Sequence, residues 1–218
     1  MGDGSWLAHF GILALLAVVP FVVVVCTSFA KVVIVLGIVK NALGAQTVIP
    51  GTVITALAMV VTLFIMGPVL DEMMDVPMPQ AASTGDASEG NRALFEDAQK
   101  FYAALSPPLI HFLKQNTPKK ELDFYSGLDN SADKNASTVR VLLLAFASAE
   151  LIEAFMLGIL VLVPFLVVDL IVANTLAALG FVSIPAMALA LPFKLLLFVA
   201  ADGWHLLVNA LIISYGIT

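Results

Sequence analysis

Apolar positions dominate the chain in long unbroken runs. Residues 10–30, 48–70 and 170–193 hold no Asp, Glu, Lys or Arg, and each run reaches the roughly 20 residues a helix needs to cross a bilayer's hydrocarbon core. A fourth run, 141–168, is interrupted only by Glu150 and Glu153, and a fifth, 195–218, only by Asp202. The pattern predicts an all-α membrane protein with four to five hydrophobic helical segments. Pro and Gly punctuate the runs at Val19-Pro20-Phe21, Gly67-Pro68, Val163-Pro164-Phe165, Ile184-Pro185 and Leu191-Pro192-Phe193. Proline removes an amide donor and clashes with the preceding turn, so kinked or broken helical hairpins are expected. Ordinary kinks of a multi-pass protein and helices broken around a protein-lined cavity both fit.

Charge divides the chain into three. Between Asp71 and Arg140 stand 18 of the 26 charged residues, 11 acidic and 7 basic. The expected organisation is an N-terminal hydrophobic helical block (1–70), a polar extracytoplasmic segment (71–140) and C-terminal hydrophobic helical hairpins (141–218). Within the polar segment, Leu94, Phe95, Ala98, Phe101, Tyr102 and Leu105 recur at helical spacing and predict an amphipathic helix over 93–105. Its stripe, with Leu94, Phe101 and Leu105, needs burial, either in subunit packing or against a short amphipathic turn at 109–113. The stretches Pro77–Gly90 and Ser126–Ser137 read as flexible connections. A small helical extramembrane insertion results, suited to docking.

Composition narrows the function. At 61% hydrophobic, 12% charged and net charge −6, the chain lacks the cationic footprint that nucleic acid requires. Cys26 is the sole cysteine, lies in an apolar run, and reads as a small core hydrophobe. The first nine residues contain Asp3 and no cation, so the first apolar segment is expected to remain in the mature protein. Lys31 and Lys40 flank the connection around Asn41–Thr47 and place it on the cytoplasmic side, with the polar segment opposite.

Catalytic motifs are missing: there is no H-E-x-x-H, G-x-S-x-G or phosphate-binding glycine loop, and His9, His111 and His205 are scattered. No catalytic residue, cofactor or metal site is expected, and the chain reads as a non-enzyme. Glu150 and Glu153, one turn apart, could form a carboxylate pair or divalent-cation site, but such like-charged pairs are more often solvated or bound to a basic partner. Buried charges instead suggest binding or gating. A secondary transporter would show similar broken helices but also internal repeats, of which none is convincing. An intramembrane hydrolase built on Asp169 and Asp202 lacks motif context.

The strings PFVVVVCTSFAKVVIVLGIVKNALGAQ (20–46), LAFASAELIEAFMLGILVLVPFLVVDL (144–170) and ALGFVSIPAMALALPFKLLLFVAADGW (178–204) closely resemble the SctR/FliP family, the R subunit of the type III secretion export gate. The resemblance implies a non-enzymatic subunit of a channel for unfolded substrates. In that family it forms a homo-oligomer, apparently a pentamer, joined by S, T and U subunits. It sits in the bacterial inner membrane, its hairpins packing largely on one another and the assembly protruding to the periplasmic side. The SFAK string at 28–31 looks more like the injectisome branch than the flagellar one. Ile152 stands where many members carry a basic residue, and Leu144 and Met156 replace a frequent Pro and a frequent polar residue.

Two site expectations follow. Asp169 stands 11 residues before Gly180 and Lys194 stands 9 after Pro185, so at about 1.5 Å per residue the two lie at similar distances from the hairpin tip and can pair. Asp202 should return to the face of Lys194 two turns on, and with Glu150 these residues form a predicted buried charge network. An exchange of the Asp169 and Lys194 charges should then partly restore what either single loss removes. The resemblance places a methionine-rich constriction at the hairpin tip. The matching positions are Phe181, Val182, Ser183 and Ile184, with Met187 nearby, and they are expected to line the pore's narrowest point.

Overall fold

The computed structural model describes residues 17, 20–21, 24–46, 48–74, 107–129, 134–181 and 183–216. Among them there is no strand, and the protein is an all-α membrane protein. The described helices are α1 (Phe29–Ala42), α2 (Gly51–Ile65), α3 (Gly67–Met74), α4 (107–115), α5 (Lys119–Leu128), α6 (Lys134–Ala178), α7 (Ala186–Ala200) and α8 (Gly203–Ile213). Within α6, residues Thr138–Ala178 are long and apolar enough to cross a membrane. The bent pairs α2–α3 and α7–α8 would each make a further span if continuous.

The chain divides into two compact units, Met1–Ile65 with Ala147–Thr218, and Met66–Phe146. In the first, α1 packs on α2 and α7 on α8. The buried face of α1, Val32, Val35, Leu36, Val39 and Ala42, follows the helical period, as does Ala58, Val61, Thr62 and Ile65 on α2. A Cβ added at Gly158 of α6 would collide with the Ile38 side chain of α1, so glycine permits that close approach. In the second unit Phe112 and Leu113 of α4 are buried with Leu142, Ala145 and Phe146, and Phe112 meets Phe146 edge-on at 5.9 Å.

Breaks fall at two of the expected places, Gly67-Pro68 and Ile184-Pro185, and at one that was not expected, between Ala200 and Gly203. Pro164 lies inside the continuous α6 and Pro192 inside α7, whereas the chain turns between α6 and α7 and bends by 62° between α7 and α8. The first turn is a helix-ending motif. Gly180 has φ +78°, its amide donates to the Ala177 carbonyl at 3.1 Å, and the Phe181 amide donates to the Leu176 carbonyl at 2.9 Å. At the second bend, Asp202 adopts left-handed φ/ψ of 51° and 42°. Neighbouring Gly203 has no room for a Cβ, which would sit 3.0 Å from the Phe198 carbonyl oxygen and against its ring. Gly203→Ala is therefore expected to destabilise by about 1–3 kcal/mol, read as a lower thermal midpoint of the detergent-solubilised protein.

The flexible connection expected over 126–137 is helical at both ends, and residues 130–133 between them lie outside the described residues. α5 runs to Leu128 and α6 begins at Lys134. Pro118 caps the start of α5 with extended backbone, and Glu121 lies in its first turn, where negative charge favours the helix N-terminus.

Candidate functional site

Two buried charge clusters and one exposed tip organise the first unit. The first cluster centres on Lys31 of α1, whose side chain is 1% exposed. Its Nζ lies 3.1 Å from Glu150 Oε1 and 2.7 Å from Glu153 Oε2 on α6. The Tyr215 ring, following α8, sits 3.9 Å from the ammonium, a distance at which the ring's π face attracts a cation. The Tyr215 hydroxyl donates to Glu150 Oε2, and Lys31 Nζ donates to Ser214 Oγ at 3.4 Å. One cation thus joins three segments that are far apart in sequence. Glu153 is partly exposed and Glu150 is not.

Sequence reasoning singled out Glu150 but missed Lys31, Tyr215 and Ser214. The available signal was Lys31 itself, a cation inside an otherwise apolar run. Its burial on an ion pair weakens its weight as a topological flank and leaves that weight mainly on Lys40. Ile152, Leu144 and Met156 are all exposed, and the Lys31 ion pairs to Glu150 and Glu153 form without a cation at 152.

The second cluster is at the stem of the tip hairpin. Lys194 of α7, 3% exposed, places Nζ 2.6 Å from Asp169 Oδ2 on α6 and donates to the Ala42 carbonyl at the end of α1 at 2.9 Å. Asp169 Oδ1 is buried with no hydrogen-bond partner. Asp202 does not belong to this network, contrary to expectation. It is 70% exposed, and its Oδ1 meets His205 Nδ1 at 2.6 Å. The expectation carried one helical phase from 194 to 202, but α7 ends at Ala200 and the left-handed Asp202 resets the phase.

At the tip, Phe181 is 52% and Ile184 43% exposed, with Ser183 and Met187 exposed beside them. Val182 lies outside the described residues, as do Leu94, Phe101 and Leu105. Behind the hairpin, a half-open apolar cavity of about 270 Å³ lies between α1, α6, α7 and α8, walled by Val35, Leu157, Phe165, Phe198 and Leu211 among others. Among the described residues, no group of three or more His, Cys, Asp or Glu side chains is placed to hold a metal ion.

Much of this apolar surface has no cover within the chain. On α6, Met156, Ile159, Leu160, Leu170 and Ile171 are exposed, and only 11% of its most apolar window is buried. Such a face requires lipid or other protein against it.

The FliP family model matches residues 12–211. The chain is 35% identical to "Yop proteins translocation protein R" of Yersinia pestis over 212 residues, 94% of each chain. It is 35% identical to "Virulence protein YscR" of Salmonella typhimurium over 219 residues, 97% of this chain and 98% of that one. It is also 35% identical to "Flagellar biosynthetic protein FliP" of Pectobacterium carotovorum over 223 residues, 98% of this chain and 81% of that one. A match running through both apolar blocks and the polar segment between them makes the chain a member of the FliP family.

Proposed function

We propose that this chain is a core subunit of a type III secretion export gate in the bacterial inner membrane. Copies of it, with S and T subunits, surround a path for unfolded export substrates. The observation that carries the reading is family membership over 12–211. The uncovered apolar face of α6 supports it, because neighbouring subunits would bury what one copy leaves exposed. The SFAK string at 28–31 and the relatives named for translocation and virulence support the injectisome branch.

Deleting the chain from its host should stop secretion of injectisome substrates and leave swimming intact, and restoring it should return secretion. Loss of motility with secretion retained would move it to the flagellar branch, and retention of both would sink the export reading. Native mass measurement after detergent extraction should show a large hetero-oligomer. An active monomer or dimer carrying solute flux would favour a transporter. The stripe holding Leu94, Phe101 and Leu105 is assigned to subunit packing, so Phe101→Asp should lower oligomer yield; a fully assembled variant would remove that role.

A further inference from the structure

We infer that Lys194 is the C-terminal cap of α1 as well as the ion-pair partner of Asp169, so that one buried ammonium positions the tip hairpin on the N-terminal helix.

The last four carbonyls of any helix lack intrahelical donors and must be satisfied otherwise when buried. At the end of α1 each can be followed. Val39 O accepts from the Leu43 amide at 3.0 Å, Lys40 O from the Ala45 amide at 3.2 Å, and Asn41 O from the Gly44 amide at 3.0 Å. Gly44, at φ +72°, supplies the left-handed residue on which this turn depends. Ala42 O remains, in a place where Ala42, Leu43 and Ala45 are all buried. Lys194 Nζ reaches it at 2.9 Å. A cation there also faces the negative end of the α1 dipole.

The consequence is an asymmetry that a simple ion pair lacks. In a simple pair, exchanging the two charges preserves the attraction. Here an aspartate at 194 has no donor for Ala42 O and sets a negative charge against the negative end of α1. The exchange therefore fails, reversing the sequence-based expectation, whereas Lys194→Arg retains both donations. Lys194 acts through α1 and α6 and touches no substrate, so it is a positioning residue. The assignment concerns the chain's own fold and stands or falls independently of the export reading.

Amide hydrogen exchange over residues 43–49, in the full chain extracted in detergent, tests it. Asp169→Asn should leave exchange there near the wild-type rate. Lys194→Met should raise it about tenfold or more, since a buried acceptor loses a charged donor, and Lys194→Arg should return it. Wild-type exchange in Lys194→Met overturns the cap. If Lys194→Met yields no folded protein, the double exchange Asp169→Lys with Lys194→Asp decides. Recovery of folded yield overturns the cap, and failure to recover while Asp169→Asn folds supports it.

Discussion

Lys31→Ala is expected to cost about 3–5 kcal/mol of stability, the range for removing one partner of a buried ion pair, and to lower the recovery of folded protein from membranes. The magnitude follows from what remains. Glu150 is 1% exposed and would be left as a buried carboxyl without its cation, held by the Tyr215 hydroxyl. Glu153 is partly exposed and can turn to solvent, so the two carboxylates should differ as second-site changes. Adding Glu150→Gln to Lys31→Ala removes the stranded carboxyl and should recover part of the loss, whereas adding Glu153→Gln should recover little. Tyr215→Phe removes a hydroxyl that donates to the carboxylate while leaving the ring beside the ammonium. Its cost should be about 1.5–3 kcal/mol, the worth of a hydrogen bond to a charged group. Thermal midpoints of the four variants in one detergent check the order. A Lys31→Ala protein as stable as wild type would show that the cluster contributes nothing to the fold.

The same cluster marks where the sequence stops being legible. Helix formation and membrane class were readable because apolar runs and charge gaps are local quantities. Asp169 and Lys194 were readable because they flank one turn on the same hairpin, and chain geometry alone brings them level. Lys31 and Glu153 are 122 residues apart, and nothing in a periodic pattern tells which lone cation meets which lone carboxylate. Proline positions were readable as punctuation, but only some are breaks: Pro68 and Pro185 stand where helices begin. Pro164 stays within α6, while the bend between α7 and α8 falls at the left-handed Asp202 and the cramped Gly203. The misplacement of Asp202 has the same origin, since a helix phase extrapolated past its last residue carries no information about the next element.

Replacing both Phe181 and Ile184 by glycine is expected to make membranes carrying the assembled gate leak ions. Under the proposed function a resting gate must hold back water and ions yet part for an extended chain, which an apolar constriction achieves by dewetting. The family resemblance implies, and the proposed function adopts, a seal at the hairpin tip built from methionine, a residue that repacks readily. Here the stretch reads Phe181, Val182, Ser183 and Ile184, with Met187 as the nearby methionine. The left-handed Gly180 that follows α6 fixes where this stretch leaves the helix, and Phe181 and Ile184 remain half exposed in the single chain. Half-exposed aromatic and β-branched residues at a turn are poorly served by water, and in the proposed assembly they would meet their counterparts from neighbouring copies. A β-branched side chain is stiffer than methionine, so this plug should be tighter at rest and slower to part. Phe181→Met with Ile184→Met should accordingly keep the seal and raise the secretion rate. The glycine pair should leave assembly intact, because both side chains lie outside the buried clusters that hold the hairpin. Conductance measured in vesicles containing the assembled complex checks this, and an assembled glycine variant with unchanged conductance places the seal on other residues.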